Sequence, residues 1–514
     1  MNRRRLRVFL LMGACAALVC ISLFFAWKEK RAFMGVEIMS ERAHDALPAY
    51  AYADIGEYLT QNGQSAALDR EESVLYVSLD AGAHDDIRQM PVALALHHPG
   101  YRLYFAPDAA FDDFDQAVQD GHRFALIAAA RDHHMRYEVV FTRLPVIRLN
   151  TQSGSDESEH EGSVCLWADY PADEGYYSVA ASRARWHKRG GISRSAAKVS
   201  YKLTLEKPSG AKNSVSMLDM GSDDDWILNA MPKDDLKLRE MTITTLWNEH
   251  QKTTGYQIPM SPCRYVEAVI DGRYMGLYLL QRRMDNKLLG ERYAKDVLYK
   301  GDMNIDQRPV EGVFQIRSNP RQVSHEELYE YIRPFFHLMK TRDAQYDTLR
   351  MDEENWLDLN VFCSVFAMAD NFTSKNIYLI RHEQNGEYVL QFALWDTDMS
   401  MGLGWRNDDV FYDAQNIKSK IYLRQEAQAR FSGDAKLYDA YLSRYTQLRS
   451  SLLSDDSILK TVLACSNEIT ESGALQRDQQ RWGLHNGGED TLGKLIEFIQ
   501  SRAAWLDETY LKSE

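Results

Sequence analysis

Asp370-Asn371-Phe372-Thr373-Ser374-Lys375-Asn376-Ile377-Tyr378 is followed at a short remove by Trp395-Asp396-Thr397-Asp398-Met399-Ser400-Met401-Gly402. An Asp, an Asn six positions on and a further Asp beyond a short hairpin are the side chains that phosphoryl transfer requires. One carboxylate orients the attacking hydroxyl, while an amide and a second carboxylate hold a divalent cation on the nucleotide phosphates. Asp370 is the candidate catalytic acid, with Asn376, Asp396 and Asp398 as candidate metal ligands. The structural alternative is that Asp370 and Asn371 only cap and turn the chain.

Two other motif readings fail. Asp396-x-Asp398-x-Ser400 lacks the Gly of a calcium loop at its sixth position, Met401, and the Glu at its twelfth, Asn407. No G-x-x-x-x-G-K-[ST] phosphate loop occurs.

The elements around these residues suit the chemistry. Asp352 is placed to cap a helix whose Trp356, Leu359, Cys363 and Phe366 recur at helical spacing, so that Asp370 would sit at a helix end. Asn376–Ile380 and Tyr388–Leu394 alternate as strands around Glu383-Gln-Asn-Gly386, which brings Asn376 back towards Asp396. Upstream, Arg189-Gly190-Gly191 leads into Lys198-Val-Ser-Tyr-Lys202, a basic loop and strand suited to cradling phosphates through Arg189, Lys198 and Lys202. A strand lysine is more often a surface residue. Tyr265–Ile270, Asp271-Gly272 and Tyr274–Leu280 form a hairpin with a two-residue turn. Ser324 and Glu327 make a capping box, and apolar residues at helical spacing continue from there to the C-terminus.

The 514-residue chain is 45% apolar and carries a net charge of −14, which argues against nucleic acid as its partner. Arg3, Arg4, Arg5 and Arg7 precede Val8–Trp27, a stretch free of charged residues and long enough to span a hydrocarbon core. That pattern predicts a retained signal anchor over residues 1–31, with the N-terminus inside and the bulk of the chain outside a cell membrane. Residues 32–72 read as a stalk and 73–142 as a small β-sandwich. Residues 143–514 read as the chemical unit, a β-rich half followed by a helical half. The scattered cysteines show no metal-type pairing and no readable disulfide framework.

Several blocks resemble the CotH family, the spore-coat protein H type of atypical protein kinase. They are Arg189-Gly-Gly-Ile-Ser through Lys202, Asp225-Trp226 with Asp234-x-x-x-x-Arg239, Gly272-x-Tyr274-x-Gly276-x-Tyr278, and the Asp370–Gly402 run. Arg477-Asp478-x-x-Arg481-Trp482 resembles the start of the family's closing helices, and the likeness covers about residues 144 to 512. The resemblance implies an α+β, protein-kinase-like catalytic domain using ATP with Mg²⁺ or Mn²⁺ to phosphorylate Ser or Thr of a secreted, surface or spore-coat protein. A basic, Ser-rich protein is the expected substrate. It implies that Asp370 acts on the substrate hydroxyl, that Asn376, Asp396 and Asp398 hold metal, and that Lys198, with Arg189 and Lys202, contacts phosphates. Departures from the family pattern stand out: Arg282 replaces a family Glu, Gly191 stands where the Arg189 block has Asn, and Glu240 stands where the Arg239 block has Asn. A catalytically inactive surface scaffold is the alternative reading.

Overall fold

The computed structural model describes residues 32–511 except 34, 51–54, 80–93, 108–112, 153–157, 169–177, 257, 304–307, 342–349, 373–374 and 405–434. The leading unit is a mixed five-stranded sheet of β1 (Leu68–Asp69), β2 (Val74–Ser78), β3 (Arg102–Phe105), β4 (Arg123–Ala129) and β5 (His134–Thr142), in the order β1-β2-β5-β4-β3. β2 and β5 run parallel and the other neighbours antiparallel. Helix α1 (Phe114–Gln119) and a three-stranded sheet that includes Leu59–Gln61 close its core over Leu75, Val77, Leu126 and Phe141. Ile55, Leu59 and Leu68, from the segment read as a stalk, are buried in that core.

The next seven strands close into a barrel. They are β6 (Val146–Thr151), β7 (His160–Ala168), β8 (Ser178–Arg189), β9 (Ser200–Glu206), β10 (Asp225–Asn229), β11 (Cys263–Ile270) and β12 (Arg273–Arg282), in the order β6-β7-β8-β9-β10-β12-β11. Alternation of side chains along each strand sends Leu149, Leu166, Leu203, Trp226 and Tyr278 into one shared apolar interior. Closure comes from a parallel pairing of β6 with β11, Val146 opposite Glu267. The β11–β12 turn places Asp271 (φ 52°) and Gly272 (φ 72°) in left-handed backbone, as a two-residue hairpin turn demands.

Helix α2 (Arg239–Gln251) lies between β10 and β11 in the chain. Beyond the barrel, β13 (Val297–Gly301), β14 (Phe314–Ser318), β15 (Ile377–Gln384) and β16 (Glu387–Leu394) form a second sheet in the order β14-β13-β15-β16. Helices α3 (His325–Thr341), α4 (Glu353–Val365) and α5 (Ala369–Phe372) lie between β14 and β15 in the chain, and α6 (Ala435–Arg449), α7 (Asp455–Glu471), α8 (Ala474–Trp482) and α9 (Leu492–Tyr510) follow β16. The largest core joins this sheet to the helices through Trp247, Phe335, Trp356, Phe362, Phe392 and Phe498.

Two expectations are corrected. The fold is α+β, but a closed seven-stranded barrel beside mixed sheets replaces the protein-kinase-like domain preceded by a membrane helix and a β-sandwich. The hairpin and turn signals encode neighbouring pairings, whereas closure rests on the non-local pairs β6–β11 and β10–β12, which no local pattern reports. The single-pass cell-membrane placement is also withdrawn. Among the described residues no helix is long and apolar enough to cross a membrane, and the expected span over residues 8–27 lies outside them.

Candidate functional site

The site begins with the β15–β16 hairpin. Its Asn385 (φ 53°) and Gly386 (φ 80°) make the tight turn, and the register pairs Ile377 with Leu394 at the open end. One residue further out, the Trp395 amide donates to the Asn376 carbonyl at 3.1 Å, so Asn376 and Asp396 emerge side by side. Both have left-handed backbone, with φ of 58° and 54°. The Asn371 side chain staples the pair: its Nδ2 donates to the Asn376 carbonyl at 2.9 Å and to the Trp395 carbonyl at 2.8 Å.

Asp352 caps α4 by accepting the Asn355 N–H at 3.2 Å. The helix ends earlier than its apolar stripe suggests, because Ala367 turns left-handed (φ 50°), and Asp370 sits on the separate short helix α5. Asp370 is 2% exposed. Its Oδ2 accepts from Lys375 Nζ at 2.6 Å and from Asn376 Nδ2 at 3.4 Å. Asp398 lies in the same electrostatic neighbourhood. Burial, followed by the carboxylates of Asp396, Glu240 and Asp370, raises its pKa well above the usual carboxylate range.

The segment 396–401 lies outside the regular strands and helices and is held by the start of α2. Glu240 accepts the Thr397 amide and, at 2.8 Å, its hydroxyl. Arg239, fully buried, pairs with Asp234 (2.5 Å) and Asp490 (2.8 Å) and donates to the Ser400 carbonyl at 3.0 Å.

A basic pocket opens between the barrel and the second sheet. Among the described residues, Arg189, Lys202, Arg283, Lys300 and Arg317 line it against one carboxylate, Asp285. Tyr378 and Trp395 are also in its wall, their rings edge to face at 5.9 Å. The Arg189 guanidinium lies 5.6 Å from the Trp395 ring centre, and the Asp396 carboxylate favours its charge against burial. Trp395 thus belongs to the pocket while the next residue, Asp396, belongs to the acidic cluster.

Of the candidate residues, the structure brings Asp370, Asn376, Asp396 and Asp398 together, and puts Arg189 and Lys202 in the adjoining pocket. Lys198 lies elsewhere. It is 4% exposed, precedes β9, and its ammonium bonds to Asp478 at 2.5 Å and to the Leu277 carbonyl. Burial, opposed by Asp478, lowers its pKa to about 7. Asp478 lies on α8, whose neighbours also dock on the barrel: Arg477 pairs with Glu267 at 2.7 Å and Trp482 Nε1 donates to the Met275 carbonyl at 2.9 Å. The Arg477-Asp478-x-x-Arg481-Trp482 block therefore secures a helix to the barrel. Arg282, the departure from a family Glu, is satisfied by Asp223 at 3.1 Å.

Arg283, Lys300 and Arg317 were missed by sequence reasoning, although Lys300 alternates with buried Tyr299 on its strand. Glu240 registered only as a departure.

The donors near Asp396 are all oxygens, which suits a hard cation such as Mg²⁺ or Mn²⁺. Among the described residues no group of three or more His, Cys, Asp or Glu side chains is arranged to hold a metal alone. A cation here would be bound by Asn376, Asp396 and Asp398 together with ligand oxygens, as magnesium commonly is. Asn371 Oδ1 and Ser400 Oγ are buried without a hydrogen-bond partner among the described residues, leaving oxygen donors available beside that set.

No curated protein matches the sequence. A family model described as CotH kinase protein matches residues 187–506, more than half of the chain, and takes in α2, the second sheet, the acidic cluster and the helix that carries Asp478. The chain belongs to the CotH kinase protein family.

Proposed function

We propose that this kinase-related protein is an ATP-dependent protein kinase that phosphorylates Ser or Thr hydroxyls of a protein substrate. The observation that supports it is the junction at Trp395-Asp396, where a pocket with five cations meets a carboxylate and amide cluster. Phosphoryl transfer is mostly positioning and charge neutralisation, and these neighbouring halves supply both. Arg189, Lys202 and Lys300 bind phosphate oxygens, while Tyr378 and Trp395 give the pocket an aromatic wall for a base. Asp370 orients the attacking hydroxyl and takes its proton. Asn376, Asp396 and Asp398 hold Mg²⁺ or Mn²⁺, which when bound offsets the phosphate charge. The net charge of −14 favours a basic, Ser-rich protein as acceptor.

One observation favours the second reading, a nucleotide-binding scaffold without turnover: Lys198 is committed to Asp478 and does not line the pocket. The test incubates the full-length protein with labelled ATP, Mg²⁺ or Mn²⁺ and a basic Ser-rich protein, beside Asp370→Ala and Asp396→Ala. Metal-dependent transfer lost in both variants supports the kinase. Metal-dependent ATP binding without transfer supports the scaffold, and neither signal overturns both.

A further inference from the structure

Glu240 has no role in the site as read from the sequence, yet it is 3% exposed and tied directly to the segment that carries the metal-binding candidates. Both of its carboxylate oxygens are engaged. Oε2 accepts the Thr397 amide and hydroxyl, and Oε1 accepts Gln281 Nε2 of β12 at 3.1 Å. Thr397 is itself fully buried and lies between Asp396 and Asp398. The segment runs from one left-handed residue, Asp396, to another, Met401 (φ 45°). Without a strand ladder, the direction in which its side chains point must be imposed from outside. Arg239 holds the far end through the Ser400 carbonyl, and Glu240 holds the near end. An acid in the first turn of α2 is also favoured by the helix dipole, which helps keep Glu240 in place.

We infer that Glu240 is a positioning residue. Through Thr397 it fixes the directions of Asp396 and Asp398, and it thereby sets the affinity of the site for a divalent cation. The inference rests on reading those two residues as metal ligands. A carboxylate that orients ligands from behind typically controls metal affinity by roughly 10–100-fold. A mere contribution of negative charge would act without Thr397. A positioning role requires it.

The test is Mn²⁺ binding to the full-length protein, read by the paramagnetic resonance signal of free Mn²⁺, together with thermal unfolding without metal. The variants are Glu240→Ala, Glu240→Gln, Thr397→Val and the Glu240→Ala/Thr397→Val double. Glu240→Ala should weaken Mn²⁺ binding about tenfold or more while the metal-free protein still melts cooperatively. Glu240→Gln, whose amide oxygen can still accept from Thr397, should lose much less. Thr397→Val should weaken binding in the same direction, and the double variant should be no worse than Glu240→Ala, because the two residues act through one contact. If Glu240→Ala does not fold, Glu240→Gln and Thr397→Val carry the test. Wild-type affinity in Glu240→Ala overturns the inference and leaves the metal reading intact. So does equal loss in both Glu240 variants with no effect of Thr397→Val. Absence of Mn²⁺ binding by the wild type overturns the metal reading and the inference with it.

Discussion

Lys375 Nζ lies 2.6 Å from Asp370 Oδ2, so the candidate catalytic carboxylate carries its own counter-ion from five residues along the chain. Lys375 is about one-third exposed and Asp370 is buried, which leaves the ammonium on the open side of the pair. Lys375→Met should therefore lower kcat about tenfold or more, the scale of one charged hydrogen bond, with little change in KM for ATP. Steady-state kinetics separate the two constants, and a change confined to KM would place Lys375 on the nucleotide instead.

Asp370→Ala should reduce transfer by roughly 100- to 10,000-fold, the range expected for loss of a positioned proton acceptor. Thermal unfolding should still show a cooperative transition, because the carboxylate supports the site and not a core. Labelled-phosphate transfer checks the first outcome and calorimetry the second.

Lys202→Met should raise KM for ATP about tenfold, since it removes one cation from the pocket while Arg189, Lys300, Arg283 and Arg317 remain. Lys198→Met should behave differently. Among the described residues it leaves the more distant Lys237, at 3.6 Å, as the cation beside buried Asp478, and should cost about 3–5 kcal/mol of stability. Urea unfolding of each variant, set beside its KM, separates pocket from framework.

Lys198 also predicts a pH dependence. Its pKa falls to about 7 on folding from an ordinary lysine value of 10.5. Between these values the folded protein has released a proton that the unfolded chain retains, so this group adds stability as pH rises through that window. The contribution is present above the unfolded value and is lost as pH falls through about 7. Urea midpoints at several pH values above neutrality should rise more steeply for the wild type than for Lys198→Met.

Gly276→Ala should push Asp478 away from the barrel. A Cβ at Gly276 would sit 2.2 Å from Asp478 Oδ1, in backbone with φ of 87°. Overpacking and the left-handed conformation together should cost about 3 kcal/mol or more. A melting temperature within a degree of the wild type would contradict the close docking of α8.

Much of the acidic half was legible because its signals are local. An Asn-Gly turn with alternating strands fixes the register that places Asn376 beside Trp395, and Asp352 is readable as a cap. The basic half was less so. Arg283, Lys300 and Arg317 come from three different strands or their ends and converge only when the barrel meets the second sheet. Lys198 misled for a related reason. Its place with Lys202 in a basic loop and strand pointed to phosphates, but its partner Asp478 lies 280 residues away, beyond any periodic pattern. Glu240 was visible as an oddity, and its role emerges only through contact with Thr397, 157 positions on.

The parallel seam between β6 and β11 bears on where this protein can be cut. The family match starts at residue 187, near the end of β8, whereas β6 and β7 lie wholly upstream of it. A fragment trimmed to the match would be a cylinder missing two staves and most of a third. The rims of β9 and β11 would stand open, ready to zip onto another chain. The smallest autonomous piece therefore starts ahead of Val146, and the stacked rings of Tyr76 and Tyr274, 4.0 Å apart, give the leading sheet a share in keeping that cylinder shut.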